Sequence, residues 1–320
     1  MTDEAGDTNE GGDEAAGRRP GGLARWRVYQ NERFPLLQHG PLILMFSGCA
    51  VSYSALLRGG GVSWFSYGVA FGVCLLFFLQ LRIADEFKDA EEDARWRPYR
   101  AVPRGLVTLR ELGRVFVAAG VVQFGLAVGL DLRLAWVLAV GWAYLSLMCV
   151  EFFARDWLKA RPVVYLISHM GIMPLVDFFA TACDWMPEEG RVPAGLWPFL
   201  AASFCNGLVI EVGRKMRQAE DEEEGVETYS RLWGRKGAVA VWLGCAALTG
   251  VFAGVAAQRV DFLWPVVVAL ALAGVGMLAV CRGYLAAGMT GKRVELMAGG
   301  WTLVLYAMLG VVPLVVKVMS

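Results

Sequence analysis

The sequence is poor in charged residues and in the residue types that build most catalytic metal centres. Only 19% of its 320 residues are charged and 57% are hydrophobic, whereas soluble domains average about 25% charged and about 45–50% apolar residues. It has two histidines, too few for a histidine-rich metal site, and its formal net charge is zero. This composition excludes a nucleic-acid-binding protein and a disordered scaffold, and it indicates a membrane protein.

Several common motifs are also absent. The seven cysteines never form a C-x-x-C pair, and an odd number of isolated cysteines excludes a small disulfide framework. We expect them to be buried as small hydrophobic residues. The sequence contains no P-loop, no G-x-S-x-G nucleophile motif and no H-E-x-x-H zinc motif.

The first residues differ in composition from the rest of the chain. Residues 1–22 are rich in acidic residues and glycine. Because such a segment cannot bury enough apolar surface to offset its chain entropy, we predict a disordered acidic tail. It lacks the basic and apolar regions of a cleaved signal peptide. The remaining residues, 23–320, are predicted to form one transmembrane domain.

Long apolar runs dominate this domain. A membrane-spanning helix needs about 20 mainly apolar residues. Candidate runs cover residues 41–57, 62–82, 113–130, 133–152, 162–182, 195–213, 237–257, 262–281 and 296–316. They predict an all-α, polytopic bundle of nine transmembrane helices.

The basic residues predict the orientation of this bundle. With nine spans, 25 of the 30 lysines and arginines fall on the side of the N terminus. Because cytoplasmic loops carry an excess of basic residues, we predict a cytoplasmic N terminus. Loops 83–111 and 214–236 would then form helical caps on the cytoplasmic side. We expect an integral, multi-pass protein of a bacterial plasma membrane, in contact with membrane lipid.

The first cap loop carries a ladder of carboxylates. Asp85, Asp89 and Asp93 are four residues apart, with Glu86 and Glu92 beside them. On a helix a step of four residues drifts by about 40°, so the three aspartates would share one face. Mg²⁺ prefers oxygen ligands and often joins one or two carboxylates to substrate phosphates. The pattern favours a magnesium–diphosphate site, and the alternative is a solvated, salt-bridged helix end.

The second cap loop repeats the mixture of acids and bases. It begins with Glu211 and continues through a basic cluster to five consecutive acidic residues, 220–224. These acids alone are typical of a solvated loop. If the spans before the two loops are neighbours, both loops would hold one diphosphate between them.

The first loop resembles the first aspartate-rich motif of the UbiA superfamily of intramembrane prenyltransferases, N-D-x-x-D-x-x-x-D. The sequence reads Asp85-Glu86-x-x-Asp89-x-x-x-Asp93. The family's R-P-L-P-S-G-x-[IV]-[ST] pattern has its counterpart in residues 100–108, and its Y-x-x-L-K-R stretch resembles residues 157–161. The nine-span layout also matches, and the resemblance extends from about residue 35 to the end of the chain.

The second motif departs from the family pattern, K-D-x-x-D-x-x-G-D-x-x-x-G-x-x-T. Gly225 and Thr228 match its end, but a basic cluster stands where the first aspartates are expected: Arg214, Lys215, Met216 and Arg217. The replacements are either Glu211 before the cluster, or Glu220, Asp221 and Glu224 after it. Spacing does not choose between them. Lys215 and Arg217 are alternatives that would bind the diphosphate directly.

Polar residues within the apolar runs are further candidates, because ionisable groups in spans are usually functional. His169 and Asp177 are eight residues apart in the fifth run and would share a face. They would border the acceptor, or act as base and partner, or form a purely structural pair. Asn206 and Glu211 in the sixth run, and Glu151 at the end of the fourth, are candidates for the same cavity.

The resemblance implies transfer of a prenyl group from a polyprenyl diphosphate to a lipophilic acceptor, with Mg²⁺ as cofactor. Together with the polar residues of the spans, this gives the predicted catalytic residues Asp85, Glu86, Asp89, Asp93, Glu211 and Asp177. The predicted metal ligands are Asp85, Glu86, Asp89, Asp93, Glu220 and Asp221. The predicted substrate-binding residues are Arg100, Lys159, Arg161, Lys215, Arg217, His169 and Asn206.

Three alternatives remain open. The same bundle would support cyclisation of a prenyl diphosphate without an acceptor. A transporter would use Asp177, His169 and Glu211 as an ion path and would not need the carboxylate ladder. A non-catalytic relative would account for the altered second motif.

Overall fold

A computed structural model describes residues 22–319, and within that range the chain is helical, with no β-strand. The predicted tail, except Gly22, lies outside the described residues, as does Ser320. The helices are α1 (Leu23–Arg33), α2 (Leu36–Arg58), α3 (Trp64–Lys88), α4 (Ala90–Trp96), α5 (Leu109–Leu130), α6 (Leu134–Cys149), α7 (Arg155–Lys159), α8 (Pro162–Met170), α9 (Ile172–Glu188), α10 (Trp197–Arg214), α11 (Tyr229–Gln258), α12 (Leu263–Leu285), α13 (Gly291–Tyr306) and α14 (Val312–Met319). Short 3-10 turns occur at Glu151–Phe153 and Ala219–Asp221, and a π-helical turn at Ala307–Val311 joins α13 to α14.

The predicted all-α, multi-pass architecture is confirmed. Seven helical stretches in the described part of the chain are long and apolar enough to cross a membrane. They are Leu36–Arg58, Trp64–Lys88, Leu109–Leu130, Pro162–Glu188, Tyr229–Gln258, Leu263–Leu285 and Gly291–Met319. The other two predicted spans correspond to α6 and α10, which have 16 and 18 residues. Because α6 is only about 24 Å long, against a hydrocarbon core of about 30 Å, the count of nine stays a prediction.

The core of the bundle forms around α2, α9 and α10. Helix α2 packs against α3 and α9, and α10 packs against α9, α11 and α13. Small residues allow these close contacts: α2 buries Ser47, Cys49, Ala50, Ser52, Ser54 and Ala55. At Gly310 a side chain would collide with the backbone of Cys49. Helices α5 and α12, by contrast, expose many valine and leucine side chains, as a lipid-facing helix should.

The stretch Pro162–Glu188 is divided into α8 and α9, which meet at Gly171. The Tyr144 hydroxyl donates to the carbonyl oxygen of Ser168 (2.5 Å) and fills the space beside Gly171. This break separates His169, at the end of α8, from Asp177, within α9. The two residues therefore do not share one regular helical face.

The two predicted cap loops meet at one end of the bundle. The Tyr99 hydroxyl donates to Glu223 (3.0 Å), and Gly225, whose φ is +72°, lies against the Trp96 ring so closely that a side chain would collide with it. Between the ends of the long helices that flank it, the cap is helical only at α4 and at the turn Ala219–Asp221. It covers the entrance of a large cavity.

Candidate active site

A cavity of about 1310 Å³ opens beneath the cap. Its inner part is apolar and is lined by side chains from the cores of α2, α3 and α9, including Ile43, Phe46, Phe78 and Met173. Its outer part is lined by charged residues from the cap loops and the adjoining helix ends. The cavity therefore has an apolar interior and a charged entrance.

The charged entrance has a positive excess. Ten basic and seven acidic side chains line the cavity. The basic ones are Arg82, Lys88, Arg95, Arg97, Arg100, Arg155, Lys159, Arg214, Lys215 and Arg231. A concave surface with this charge attracts anionic groups.

Asp85 and Asp89 lie at this entrance. The Asp85 carboxylate is 42% exposed, and its ion pairs are long, 3.8 Å to Arg82 and 3.9 Å to Lys88. In the described range no hydrogen bond or ion pair engages the Asp89 carboxylate. Burial raises the pKa of Asp89 above its ordinary value; Lys88 opposes the shift and Asp85 adds to it. Both carboxylates are thus available to a cation.

Glu86 and Asp93 have different surroundings from these two. Glu86 is buried beneath Arg33, which donates to it, and Arg82 lies 3.5 Å away. Asp93 is 2% exposed and forms ion pairs with Arg97 (2.8 Å) and Arg100 (2.7 Å). Neither lines the cavity. Helix α3 ends at Lys88 and α4 starts at Ala90, so the ladder bends at Asp89 and does not form one straight face.

The end of α10 supplies a cation pair to the same cavity. Glu211 is almost buried, and its carboxylate accepts from Arg214 (2.5 Å) and lies 3.1 Å from Lys215. The two basic side chains are partly exposed, at 45% and 34%. Because one carboxylate is shared by two cations, this corner carries a positive excess.

The other predicted residues of the loops divide into two groups. Arg100 and Lys159 line the cavity, and Lys159 donates to Glu92 (2.7 Å), which lowers the pKa of Glu92. Four predicted residues do not line it. Arg161 stacks on Trp157 outside the cavity, Arg217 contacts the backbone of its own loop, and Glu220 and Asp221 are exposed on the turn Ala219–Asp221.

The polar residues of the spans lie at different depths. His169 lines the cavity, whereas Asp177 is fully buried behind it and accepts from the Tyr306 hydroxyl (3.0 Å). Asn206 accepts from Thr302 (3.2 Å) and is likewise buried. Tyr306 and Thr302 line the cavity themselves. Asp177 and Asn206 are therefore connected to the cavity by hydrogen bonds with the Tyr306 and Thr302 hydroxyl groups.

Sequence reasoning missed Lys88 and Tyr165. The Lys88 ammonium donates to the Tyr165 hydroxyl (2.6 Å), and it lies 3.8 Å from Glu151 and 3.9 Å from Asp85. It connects the carboxylate ladder to α8 and to the end of α6. Its place inside the first motif, directly before Asp89, was the signal available in the sequence.

The carboxylates at the entrance fit a hard cation that takes its remaining ligands from a bound molecule. In the range 22–319 no group of three or more histidine, cysteine or acidic residues is arranged to hold a metal ion by itself. Asp85 and Asp89 provide two adjacent, weakly engaged carboxylates. Mg²⁺ is commonly bound by one or two carboxylates together with phosphate oxygens. These two residues therefore fit a magnesium ion that arrives with a diphosphate.

The fold and the cavity define a helical membrane protein with a charged binding site at the end of an apolar intramembrane cavity. The sequence model of the UbiA prenyltransferase family matches residues 44–287, and the chain belongs to this family. A search of curated proteins found no match.

The solved structures that are similar to this chain include the following two. One, described as the apo structure of a UbiA homolog from Aeropyrum pernix K1, has 16% sequence identity and a TM-score of 0.65, and the match covers 87% of this chain and 98% of that one. The other, described as digeranylgeranylglyceryl phosphate synthase, has 13% identity and a TM-score of 0.58, with 93% and 100% covered. At these identities the likeness concerns the fold.

Proposed function

We propose that this protein transfers a prenyl group from a polyprenyl diphosphate to a lipophilic acceptor in the membrane. The observation that carries the proposal is the cavity itself, which joins a positively charged entrance to an apolar interior within one space. Membership of the UbiA prenyltransferase family supports it. We also propose that the chain crosses the membrane nine times and that its N terminus is cytoplasmic.

The diphosphate would be bound at the entrance. Arg214 and Lys215 would contact its oxygens from one side, since their shared carboxylate, Glu211, leaves them a positive excess. Arg100 would add positive charge from the first cap loop, and Lys159 would add positive charge from the end of α7. Arginine suits this task because its planar guanidinium group binds phosphate oxygens in pairs.

Asp85 and Asp89 would hold Mg²⁺ against the diphosphate. When bound, the ion would neutralise part of the negative charge that the diphosphate gains as its bond to the prenyl group breaks. The altered second motif fits this assignment, because the Arg214–Lys215 pair would provide positive charge where a second aspartate cluster is expected. We propose no metal-ligand role for Glu220 and Asp221, which are exposed and outside the cavity.

The prenyl chain would lie in the apolar interior. Residues such as Phe46, Phe78 and Met173 line this region, and each buried CH₂ group contributes about 0.8 kcal/mol to binding. The same walls keep water from the reacting carbon. The two cap loops contact each other beside the entrance, between Tyr99 and Glu223 and between Trp96 and Gly225.

The diphosphate site is tested by equilibrium binding of inorganic diphosphate to the purified protein in detergent, with and without Mg²⁺. We expect Arg214→Gln and Lys215→Gln each to weaken binding about 10- to 150-fold, because a hydrogen bond to a charged group contributes about 1.5–3 kcal/mol. Arg217→Gln is the matched control, since Arg217 does not line the cavity, and it should bind as the unaltered protein does. Failure of the unaltered protein to bind diphosphate would overturn the proposed function, and unchanged binding by both variants would overturn the role of the α10 pair.

A further inference from the structure

A second concave site lies on the lipid-facing side of the bundle, between α3, α5 and α6. It is a groove of about 450 Å³, a volume within the range of small-molecule sites. Within the range 22–319 it shares no lining residue with the cavity described above. The groove opens to the bilayer, because Val117, Val121 and Phe124, which line it from α5, are exposed.

The walls of the groove are mainly apolar. Three of the lining side chains are aromatic, those of Phe116, Phe124 and Trp142, and none of the described lining residues is acidic or basic. A charged headgroup in this groove would be desolvated without a counter-ion, which is unfavourable. The groove therefore suits an uncharged molecule that is largely apolar.

One polar atom beside this groove is unpartnered. Gln80 lines the groove and is 2% exposed, and its Nε2 atom donates to the carbonyl oxygen of Phe116 (3.1 Å). Because a carbonyl only accepts, the atom in this contact is the amide nitrogen, which leaves Oε1 at the other position. Oε1 is buried and has no hydrogen-bond partner in the part of the chain that the structure describes. A buried acceptor in this state is destabilising unless a ligand satisfies it.

The depth of Gln80 in the bundle limits which molecules can supply the donor. Gln80 precedes Lys88, the last residue of α3, by eight residues, or about 12 Å along the helix axis. Helix α3 is long and apolar enough to cross the membrane. A polar group at this depth depends on partners from the protein or from lipid-soluble molecules, since the hydrocarbon region holds no water.

Gln123 on α5 provides an internal comparison. It is buried too, but its Nε2 atom donates to the carbonyl oxygen of Val73 (3.1 Å) and its Oε1 atom accepts from the Trp142 indole (3.1 Å). Both ends of this amide are satisfied by the fold. The protein satisfies only one end of the Gln80 amide, and the other end is an acceptor at the wall of a groove.

We propose that this groove binds a neutral lipid of the surrounding bilayer through a free hydroxyl group, which donates to Oε1 of Gln80. The site is separate from the proposed transferase reaction. The apolar part of the lipid would lie against Val117, Val121 and Phe124, on the side that opens to the bilayer. A lipid without a hydroxyl group lacks the donor, and a charged lipid would bring its headgroup into an apolar site.

The test compares two photoreactive probes that differ only in the donor: an undecanol with a diazirine in mid-chain, and the methyl ether of the same molecule. The protein is reconstituted in phosphatidylcholine vesicles, irradiated with each probe, and the labelled residues are quantified by mass spectrometry. Labelling of residues 116–124 is divided by labelling of residues 268–275 on α12, where Val268, Leu272 and Val275 are exposed. This ratio cancels differences in how the probes partition into the bilayer.

We expect the normalised labelling by the alcohol to exceed that by the ether about threefold to tenfold, the effect of one hydrogen bond formed within a membrane. Dioctanoylglycerol, which has a free hydroxyl group, should compete with the alcohol, and trioctanoylglycerol, which has none, should not. Equal normalised labelling by the two probes would overturn the hydroxyl site. Competition by farnesol but not by dioctanoylglycerol would overturn the assignment to a bilayer lipid in favour of an isoprenoid alcohol.

Two variants locate the site. Gln80→Met keeps the length of the side chain and removes the acceptor, so it should abolish the preference for the alcohol. Gln258→Met, the same change at an exposed position at the end of α11, is the matched control and should keep the preference. An unchanged preference in Gln80→Met would overturn the role of Gln80.

Gly120→Val tests the groove without altering Gln80. A Cβ atom at Gly120 would lie 3.4 Å from Nε2 of Gln80 and 3.7 Å from the Trp142 ring, so the valine side chain would occupy part of the groove. Labelling of residues 116–124 by the alcohol should fall severalfold. Gly125→Val, on the same helix but with no other atom within 4 Å of its Cβ position, should label as the unaltered protein does. Unchanged labelling in Gly120→Val would overturn the groove as the binding site, including in the case that Gln80→Met fails to fold.

Discussion

Asp89→Asn is expected to lower the rate of diphosphate release from a prenyl diphosphate by about 100-fold or more. Asparagine keeps the size of the side chain but removes the charge that would hold Mg²⁺ against the diphosphate. Asp89 is suited to this role because it lies at the cavity entrance without an ion pair. Burial raises its pKa, so the charged carboxylate is disfavoured until a cation arrives. The rate is measured with purified protein under saturating Mg²⁺.

The same change should leave the protein as stable as before. Burial disfavours the charged form of Asp89 more than the attraction of Lys88 favours it, so the neutral replacement should not destabilise the fold. Asp156→Asn, an exposed aspartate on α7 outside the cavity, is the matched control and should retain full activity. Unchanged turnover in the Asp89 variant would overturn its assignment to the metal, and loss of folding would show a structural role instead.

Asp93→Asn, unlike Asp89→Asn, is expected to lower the stability of the fold strongly. The Asp93 carboxylate is 2% exposed and lies between Arg97 (2.8 Å) and Arg100 (2.7 Å). Removing one partner from a buried ionic cluster leaves the other charges uncompensated and typically costs about 3–5 kcal/mol. We expect a loss of this size in the free energy of unfolding, measured by denaturation in mixed micelles.

Glu92→Gln provides the comparison for this effect. Glu92 also lies on α4 and pairs with Lys159 at 2.7 Å, but both side chains are nearly half exposed, at 45% and 43%. Exposed pairs contribute about 0–1 kcal/mol, so this variant should unfold almost as the unaltered protein does. If Asp93→Asn retained full stability but lost diphosphate release, Asp93 would belong with Asp89 among the metal ligands.

The sequence was informative where a pattern is local. Composition and apolar runs predicted an all-α, multi-pass protein, and the first motif led to the family that the comparison confirmed. The number of membrane spans was harder to predict, because α6 and α10 are short and their apolar runs continue into turns. Length alone does not decide whether such a helix crosses the membrane.

The roles within the carboxylate ladder depend on tertiary contacts that spacing does not reveal. Glu86 and Asp93 match the motif as well as Asp85 and Asp89 do, but their partners come from outside it: Arg33 on α1, and Arg97 and Arg100 after α4. The bend at Asp89 separates residues that a straight helix would align.

In the second cap loop, too, the sequence pattern does not reveal which charged residues line the cavity. Its row of acidic residues was the most conspicuous feature of the sequence, yet Glu220 and Asp221 are exposed outside the cavity, whereas Glu211, Arg214 and Lys215 line it. The charged residues at the end of a helix are positioned by the bundle, and those in the following turn are free to face water. Hydrophobicity would have favoured Glu211, since it belongs to an apolar run.

The most direct test of the account is diphosphate release by the purified protein with Mg²⁺ and a panel of prenyl diphosphates of different lengths, first alone and then with membrane lipid extract. The account predicts release with at least one chain length, dependent on Mg²⁺ and on the extract, together with transfer of the labelled prenyl group to a lipophilic molecule of the extract. Release without extract would instead indicate cyclisation or hydrolysis. No release with any chain length, from protein shown to be folded, would contradict the proposed transferase function.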